Sequence, residues 1–303
     1  MGVDLSISIG SLQLQNPVLT ASGTFGYGLE FRDFGDLSAL GGVVVKGTTL
    51  KPRAGNRPQR IVETAAGMLN SIGLENPGVD YFLAHYLPQL RELGVTTIVN
   101  LAGNTIDEYC ELAERLQQPG VAALELNISC PNVEAGGMAF GTSEEAVHQV
   151  VRQVRQYTQL PLIVKLSPNV TDIARIAMVA EEAGADAISL INTLLGMAVD
   201  IRTRRPLLGN IVGGLSGPAI KPVALRMVWQ VAQAVKVPVI GMGGIMTATD
   251  AIEFLLCGAS AVQIGAANFV EPTTAWRVID GIAEYMEEQG FASVRELSGS
   301  LMI

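Results

Sequence analysis

The stretch 238–265, PVIGMGGIMTATDAIEFLLCGASAVQIG, holds one complete unit of the pattern that decides the fold. A short β-branched run ends in glycines, a helical stretch begins at the capping residue Thr247, and a second apolar run ends at Gly265. Strands that alternate with helices in this way build parallel sheets, so the stretch predicts an α/β protein.

The same unit recurs along the whole chain. Apolar runs that end in a small or polar residue lie at 17–22, 42–46, 96–100, 122–127, 161–165, 187–192, 238–243 and 261–265. Eight such units predict a (β/α)8 TIM barrel, with an open doubly wound sheet as the structural alternative. Helices are predicted at 105–117, 143–158, 171–185 and 247–259, each with a Ser or Thr cap.

Three further segments complete the predicted architecture. Polar and apolar residues alternate at 3–15, which predicts an N-terminal β-hairpin. The connections 47–78 and 193–217 are too long for plain loops, so we expect them to form insertions at the C-terminal face. The first should contain a small hairpin that carries Asn70 over the barrel mouth.

Composition excludes several classes of function. A length of 303 residues with 49% hydrophobic residues suits one barrel domain, 1–303. The net charge of −9 argues against nucleic acid or an anionic membrane as the main partner. No signal peptide or long apolar span is evident, so we expect a cytoplasmic protein. Three widely spaced cysteines and two histidines provide neither a disulfide framework nor the parts of a metal centre or a Ser-His-Asp site.

The residues at the predicted strand ends are the strongest functional signal. Active sites of TIM barrels lie at the C-terminal ends of the strands. None of the residues there is large and apolar: they are Ser22, Lys46, Asn100, Asn127, Lys165, Asn192, Gly243 and Gly265. Glycine loops after strands seven and eight predict a phosphate site, since this fold commonly binds phosphate there.

The amides and lysines of this set indicate the kind of ligand. Several amides that converge with Asn70 suit a planar ligand with alternating hydrogen-bond donors and acceptors. Lys46 and Lys165 are unfavourable as unpaired buried groups, so we expect each to have a function. A lysine here could form a Schiff base, hold an anion or stabilise negative charge on a cofactor ring.

Cys130 lies in LELNISCPNVEAGG (124–137), directly before a proline. Cys110 and Cys257 fall in predicted helices and are interpreted as buried packing residues. Cys130 instead lies just after the end of a strand and just before a glycine-rich loop. No histidine accompanies Cys130, which argues against a papain-type pair. Removal of an acidic carbon-bound proton suits this thiol better.

The motifs ELNISCPNV (125–133), NSIGL (70–74), KLSPNVTDI (165–173), IGMGGI (240–245) and LLCGASAVQIGAA (255–267) closely resemble the dihydroorotate dehydrogenases. The resemblance runs from end to end. It implies a (β/α)8 barrel that binds one FMN per chain and oxidises dihydroorotate to orotate in pyrimidine biosynthesis.

The resemblance also places the chain within that family. A cysteine base is similar to the soluble class 1 enzymes, and the segment 191–226 resembles the NAD-linked class 1B catalytic subunit more than the fumarate-linked class 1A homodimer. Class 1B implies a homodimer of this chain within a heterotetramer, with FAD and a [2Fe–2S] cluster on an electron-transfer subunit. The fumarate-linked enzyme and a Schiff-base lyase that uses Lys165 are the alternatives.

The resemblance assigns roles to individual residues. Cys130 would be the catalytic base. FMN would be lined by Ser22, Lys46, Gly47, Asn100, Asn127, Lys165, Ile191, Gly217, Gly243, Gly244, Gly265 and Ala266. Substrate would be held by Lys46, Asn70, Ser71, Ile72, Gly73, Leu74, Asn127, Asn192 and Thr193. The family commonly has Gly-Thr where this chain has Gly265 and Ala266, so a hydroxyl contact to the phosphate is lost here.

Overall fold

The computed structural model describes residues 2–128 and 140–303. Eight parallel strands close into a barrel in sequential order, which confirms the predicted fold. We number the barrel strands alone. They are β1 (Val18–Thr20), β2 (Gly42–Thr48), β3 (Thr97–Leu101), β4 (Val121–Asn127), β5 (Leu162–Lys165), β6 (Ala187–Leu190), β7 (Val239–Met242) and β8 (Ala261–Ile264).

The strands are buried on both faces, as expected where helices cover a barrel from outside. The register of the ladder aligns polar residues near the strand ends. Asn100 of β3 pairs with Glu125 of β4, and Asn127 pairs with Lys165 of β5. Since strand side chains alternate between the two faces, Glu125 and Asn127 point in the same direction. This pairing places amide, carboxylate and ammonium groups side by side.

Helices surround the barrel. Their bounds are Val79–Tyr81 with a π-helical turn Phe82–Tyr86 and Leu87–Glu92, then Ile106–Arg115, Glu144–Gln156, Ile173–Glu182, Lys221–Ala232, Ala248–Leu256, Ala267–Val270, Thr274–Gln289 and Val294–Leu297. The predicted caps Thr105, Ser143 and Thr247 are confirmed, because each side chain accepts a hydrogen bond from the backbone of the first turn.

Two details of the helix prediction were wrong. The predicted cap Thr171 is replaced by Asp172, whose carboxylate accepts from the backbone N–H of Arg175. Between β1 and β2 there is no α-helix, only the short 3-10 turns Leu29–Phe31 and Leu37–Ala39. Glycines at positive φ in this connection, Gly26 and Gly28 among them, break a regular helix.

The insertions form an antiparallel sheet over the barrel mouth. The predicted N-terminal hairpin (Ile7–Ile9 with Leu12–Leu14) and the Asn70 hairpin (Ile61–Thr64 with Gly67–Asn70) are both present. The second insertion adds Leu194–Met197 and Val212–Ser216 to the Asn70 hairpin, so that four strands form one sheet. A two-stranded ribbon, Val199–Asp200 with Arg205–Pro206, lies between them.

The core is apolar. Cys110 and Cys257 are buried free thiols, as predicted, with Cys257 at the end of its helix.

Within the described ranges, no helix combines the length and the apolar character that a membrane span requires.

Candidate active site

A cavity of about 730 Å³ opens at the C-terminal ends of the barrel strands. It is large enough for a cofactor with a substrate beside it. Every predicted site residue within the described ranges lines it: Ser22, Lys46, Gly47, Asn70, Ser71, Ile72, Gly73, Leu74, Asn100, Asn127, Lys165, Ile191, Asn192, Thr193, Gly217, Gly243, Gly244, Gly265 and Ala266. Cys130 lies outside the described residues.

Lys165 lies at the floor of the cavity, where only 4% of the residue is exposed. Its ammonium donates a hydrogen bond of 3.2 Å to Ser22 Oγ and lies 4.0 Å from Glu125 Oε2. An unpaired cation at this depth would be costly, and the carboxylate offsets that cost. Lys165 therefore brings a fixed positive charge to the floor of the site.

Glu125 is the centre of a buried polar cluster that the sequence reasoning missed. Its Oε1 accepts from Ser189 Oγ at 2.9 Å and from Gln263 Nε2 at 2.7 Å, and its Oε2 accepts from Asn100 Nδ2 at 2.7 Å. Asn100 Oδ1 accepts in turn from Asn127 Nδ2 at 3.4 Å. The cluster links β3, β4, β6 and β8 across the barrel interior.

One signal in the sequence could have identified this cluster. Strand residues two positions apart share a face. Glu125 precedes the predicted site residue Asn127 by two, and Gln263 precedes Gly265 by two. The polar layer beneath the strand ends can therefore be found from the same periodicity.

The glycine loop after β7 is held in an unusual backbone conformation. Gly243 and Gly244 have φ of 123° and 78°, which side-chain-bearing residues rarely adopt. A Cβ at Gly244 would lie 2.7 Å from Lys221 Cβ and 2.9 Å from the carbonyl oxygen of Gly217. Only glycine fits here without displacing its neighbours.

Charged side chains fix the far end of this loop. Asp250 accepts hydrogen bonds from the backbone of Met246 and Thr247, and Lys221 Nζ lies 2.6 Å from its Oδ1. Burial of Asp250 opposes its ionisation, but the hydrogen bonds from Lys221, Met246 and Thr247 together hold its pKa below the ordinary value. The hydrogen bond to Asp250 in turn raises the pKa of Lys221.

Lys46 reaches the cavity from β2, and its pKa is lowered because burial removes water from its ammonium. Among the described residues, none forms a hydrogen bond or ion pair with this ammonium. Ser71 Oγ, on the inserted sheet, is likewise buried without a hydrogen-bond partner in the described part of the chain. Both groups line the cavity and can bind an anionic, polar ligand.

The opposite wall comes from the segment after β6. The backbone N–H of Thr193 donates to Asn192 Oδ1 at 2.8 Å, and Asn169 Nδ2 donates to the carbonyl of Thr193 at 3.1 Å. Asn70 Nδ2 lies 3.4 Å from the carbonyl oxygen of Gly214. These contacts join the second insertion to the loop after β5 and the two insertions to each other, and the amides of Asn70, Asn169 and Asn192 all line the cavity.

Two features test whether this cavity fits FMN. The first is a set of four backbone N–H groups that donate no hydrogen bond to any residue within 2–128 or 140–303, which suits the binding of a phosphate. They belong to Gly243, Gly244, Gly265 and Ala266. Gln263 is one of the residues that line the cavity, and its buried Oε1 accepts no hydrogen bond from a described residue, which suits an N–H of a planar ring. Both features fit. By contrast, no cluster of three or more acidic, His or Cys side chains in the described ranges could hold a metal ion.

Comparison with known proteins identifies the family. The family model described as dihydroorotate dehydrogenase matches residues 4–286. The chain is 60% identical to the dihydroorotate dehydrogenase B (NAD(+)) catalytic subunit of Geotalea uraniireducens, over 99% of this chain and 98% of that protein. Catalytic subunits of the same name from Desulforamulus reducens and Bacteroides thetaiotaomicron are 58% and 56% identical, each over 99% of both chains. The chain therefore belongs to the dihydroorotate dehydrogenase family of oxidoreductases.

Proposed function

We propose that this chain is a single FMN-binding barrel domain that oxidises (S)-dihydroorotate to orotate. The observation that supports the proposal is the convergence of the Gly243 and Gly244 loop, the Lys165 ammonium and the amides of Asn70, Asn127 and Asn192 on one cavity.

When bound in this cavity, FMN would supply the acceptor for the hydride from C6 of dihydroorotate. The residues of the chain supply binding, orientation and proton transfer. Lys46 binds the carboxylate of the substrate, and Asn70, Asn127 and Asn192 hydrogen-bond its pyrimidine ring. Cys130 removes the C5 proton, and Lys165 stabilises negative charge that develops in the pocket.

We propose that the electrons leave for NAD⁺ through a second subunit that carries FAD and a [2Fe–2S] cluster. The name shared by the relatives, a catalytic subunit of an NAD(+)-type enzyme, supports a partner of this kind. The homodimer within a heterotetramer and the cytoplasmic location belong to the same proposal.

The proposal is tested on the purified chain and on its complex. The unmodified chain should be yellow and should release one FMN on denaturation. The variant Cys130→Ala should keep the flavin but lose nearly all turnover at neutral pH. With the copurified partner, NAD⁺ should be reduced and fumarate should not. A colourless chain, or full turnover by Cys130→Ala, would contradict the proposal.

A further inference from the structure

We propose that Glu125 is a positioning residue that fixes the orientation of the amides beneath the flavin and balances the charge of Lys165. This inference rests on the proposed function. It assigns a task to a buried carboxylate that the mechanism above does not use. Glu125 is fully buried, and within the described ranges its hydrogen bonds and ion pair go to Ser189 and to three residues that line the cavity, Asn100, Lys165 and Gln263.

The hydrogen-bond chemistry of the carboxylate determines how its partners lie. An ionised carboxylate only accepts hydrogen bonds, so Asn100 and Gln263 must each turn their NH₂ group toward Glu125. Their carbonyl oxygens then point away. Asn100 Oδ1 accepts a hydrogen bond from Asn127, whereas Gln263 Oε1 has no hydrogen-bond partner among the described residues.

An unpaired buried acceptor is unfavourable unless a ligand satisfies it. Gln263 lines the cavity, and its Oε1 is a buried atom. We therefore infer that it accepts a hydrogen bond from an N–H group of the flavin ring. Glu125 acts through Gln263, because the carboxylate excludes the flipped amide that would present NH₂ to the ring.

The second task of Glu125 is electrostatic. Its Oε2 lies 4.0 Å from the Lys165 ammonium, and both groups are buried. Interactions between buried charges are screened weakly. The carboxylate therefore reduces the positive potential that Lys165 imposes on the flavin, and so keeps the reduction potential of the flavin lower than Lys165 alone would set it.

The variant Glu125→Gln separates these tasks from mere packing, because it keeps the shape of the side chain. The new glutamine side chain has one acceptor oxygen, whereas three donor groups converge on the carboxylate of Glu125. The NH₂ group of the new glutamine must therefore face at least one of these donors. Since Lys165 lies beside Oε2, the new amide oxygen should remain there and the new NH₂ should face Gln263. Gln263 should then flip and turn its carbonyl from the cavity.

The measurements are the FMN dissociation constant and the midpoint potential of the bound flavin. For Glu125→Gln we expect FMN to bind about tenfold more weakly, as for one lost hydrogen bond. The potential should shift positively by about 30 mV, which is a tenfold change in a two-electron equilibrium. The control Ser189→Ala removes a donor but no charge, and should change each quantity less than threefold.

The outcomes are distinguishable from failure of the proposed function. If flavin binds and dihydroorotate reduces it, but Glu125→Gln leaves affinity and potential unchanged, the positioning role is wrong and the proposed function stands. If the unmodified chain binds no flavin, the proposed function fails instead. Should Glu125→Gln not fold, Gln263→Met decides: weaker FMN binding with an unchanged potential supports the inference, and unchanged binding contradicts it.

Discussion

Replacement of Gly244 by alanine should destabilise the loop that we assign to the FMN phosphate. The residue has φ of 78°, and a Cβ there would approach Lys221 Cβ to 2.7 Å, the Lys221 nitrogen to 2.8 Å and the Gly217 oxygen to 2.9 Å. Two of these neighbours are backbone atoms, which cannot move aside cheaply. The left-handed conformation costs about 1–2 kcal/mol for alanine and the overpacking about 1–3 kcal/mol, together about 2–5 kcal/mol.

Gly290 provides a matched control. It has the same φ of 78°, follows the helix Thr274–Gln289, and a Cβ there would meet no atom within 4 Å. Gly290→Ala therefore carries only the conformational cost of about 1–2 kcal/mol. The difference between the two variants isolates the steric term at the phosphate loop.

The assay is urea unfolding of the flavin-free protein, because bound cofactor would itself stabilise the folded state. FMN content after reconstitution is the second measurement. Gly244→Ala should lose more stability than Gly290→Ala and should retain less FMN, while Gly290→Ala should retain the full amount. Equal losses of stability with full FMN content in both variants would refute the assignment of this loop.

Three further predictions concern the rest of the site. Lys46→Met should raise the KM for dihydroorotate about 10- to 100-fold with FMN retained, as for a lost hydrogen bond to a charged group. In the unmodified enzyme, the KM for dihydroorotate should rise as pH rises through the lowered pKa of Lys46, which lies below 10.5. Asp250→Asn should cost about 1–2 kcal/mol in urea unfolding at neutral pH, because it weakens the capping box that Asp250 forms with Thr247 and removes the ion pair with Lys221. Since the pKa of Asp250 is lowered in the folded state, this difference should be complete above pH 3.8 and shrink as pH falls through the lowered pKa. Gly214→Ala places a Cβ 2.6 Å from Thr193 Cβ, so it should raise KM while the flavin spectrum is unchanged, and an unchanged KM would contradict the placement of Thr193.

The barrel and most of its mouth could be predicted from sequence because both depend on local patterns. Each barrel strand is a short apolar run, and the strand-end residues Asn100, Asn127 and Lys165 stand out as polar groups in apolar surroundings. The closed topology brings these ends together. All the predicted residues that the structure describes therefore line one cavity.

The four-stranded sheet could not be predicted in the same way. Leu194–Met197 and Val212–Ser216 are short and glycine-containing, and Gly214 pairs with Asn70, 144 positions earlier in the chain. Pairing over such a distance leaves no local signal in either segment. Only the folded barrel brings the two insertions together.

Glu125 was missed for a different reason. A single residue at each strand end was considered, although the residue two positions earlier on the same face also points into the barrel. A buried carboxylate within an apolar strand is a strong signal, because it needs several hydrogen bonds to be tolerated. Its three partners lie on β3, β6 and β8, so their hydrogen bonds to Glu125 could be identified only in the structure.

The central claim is that the cavity holds a flavin that dihydroorotate reduces directly. The measurement that tests it most directly is an anaerobic titration of the purified holoprotein with dihydroorotate, followed by its visible spectrum. The account predicts that the flavin bands bleach and that one orotate forms for each flavin reduced. Flavin bands that persist in the presence of excess dihydroorotate, or a protein without such bands, would contradict it.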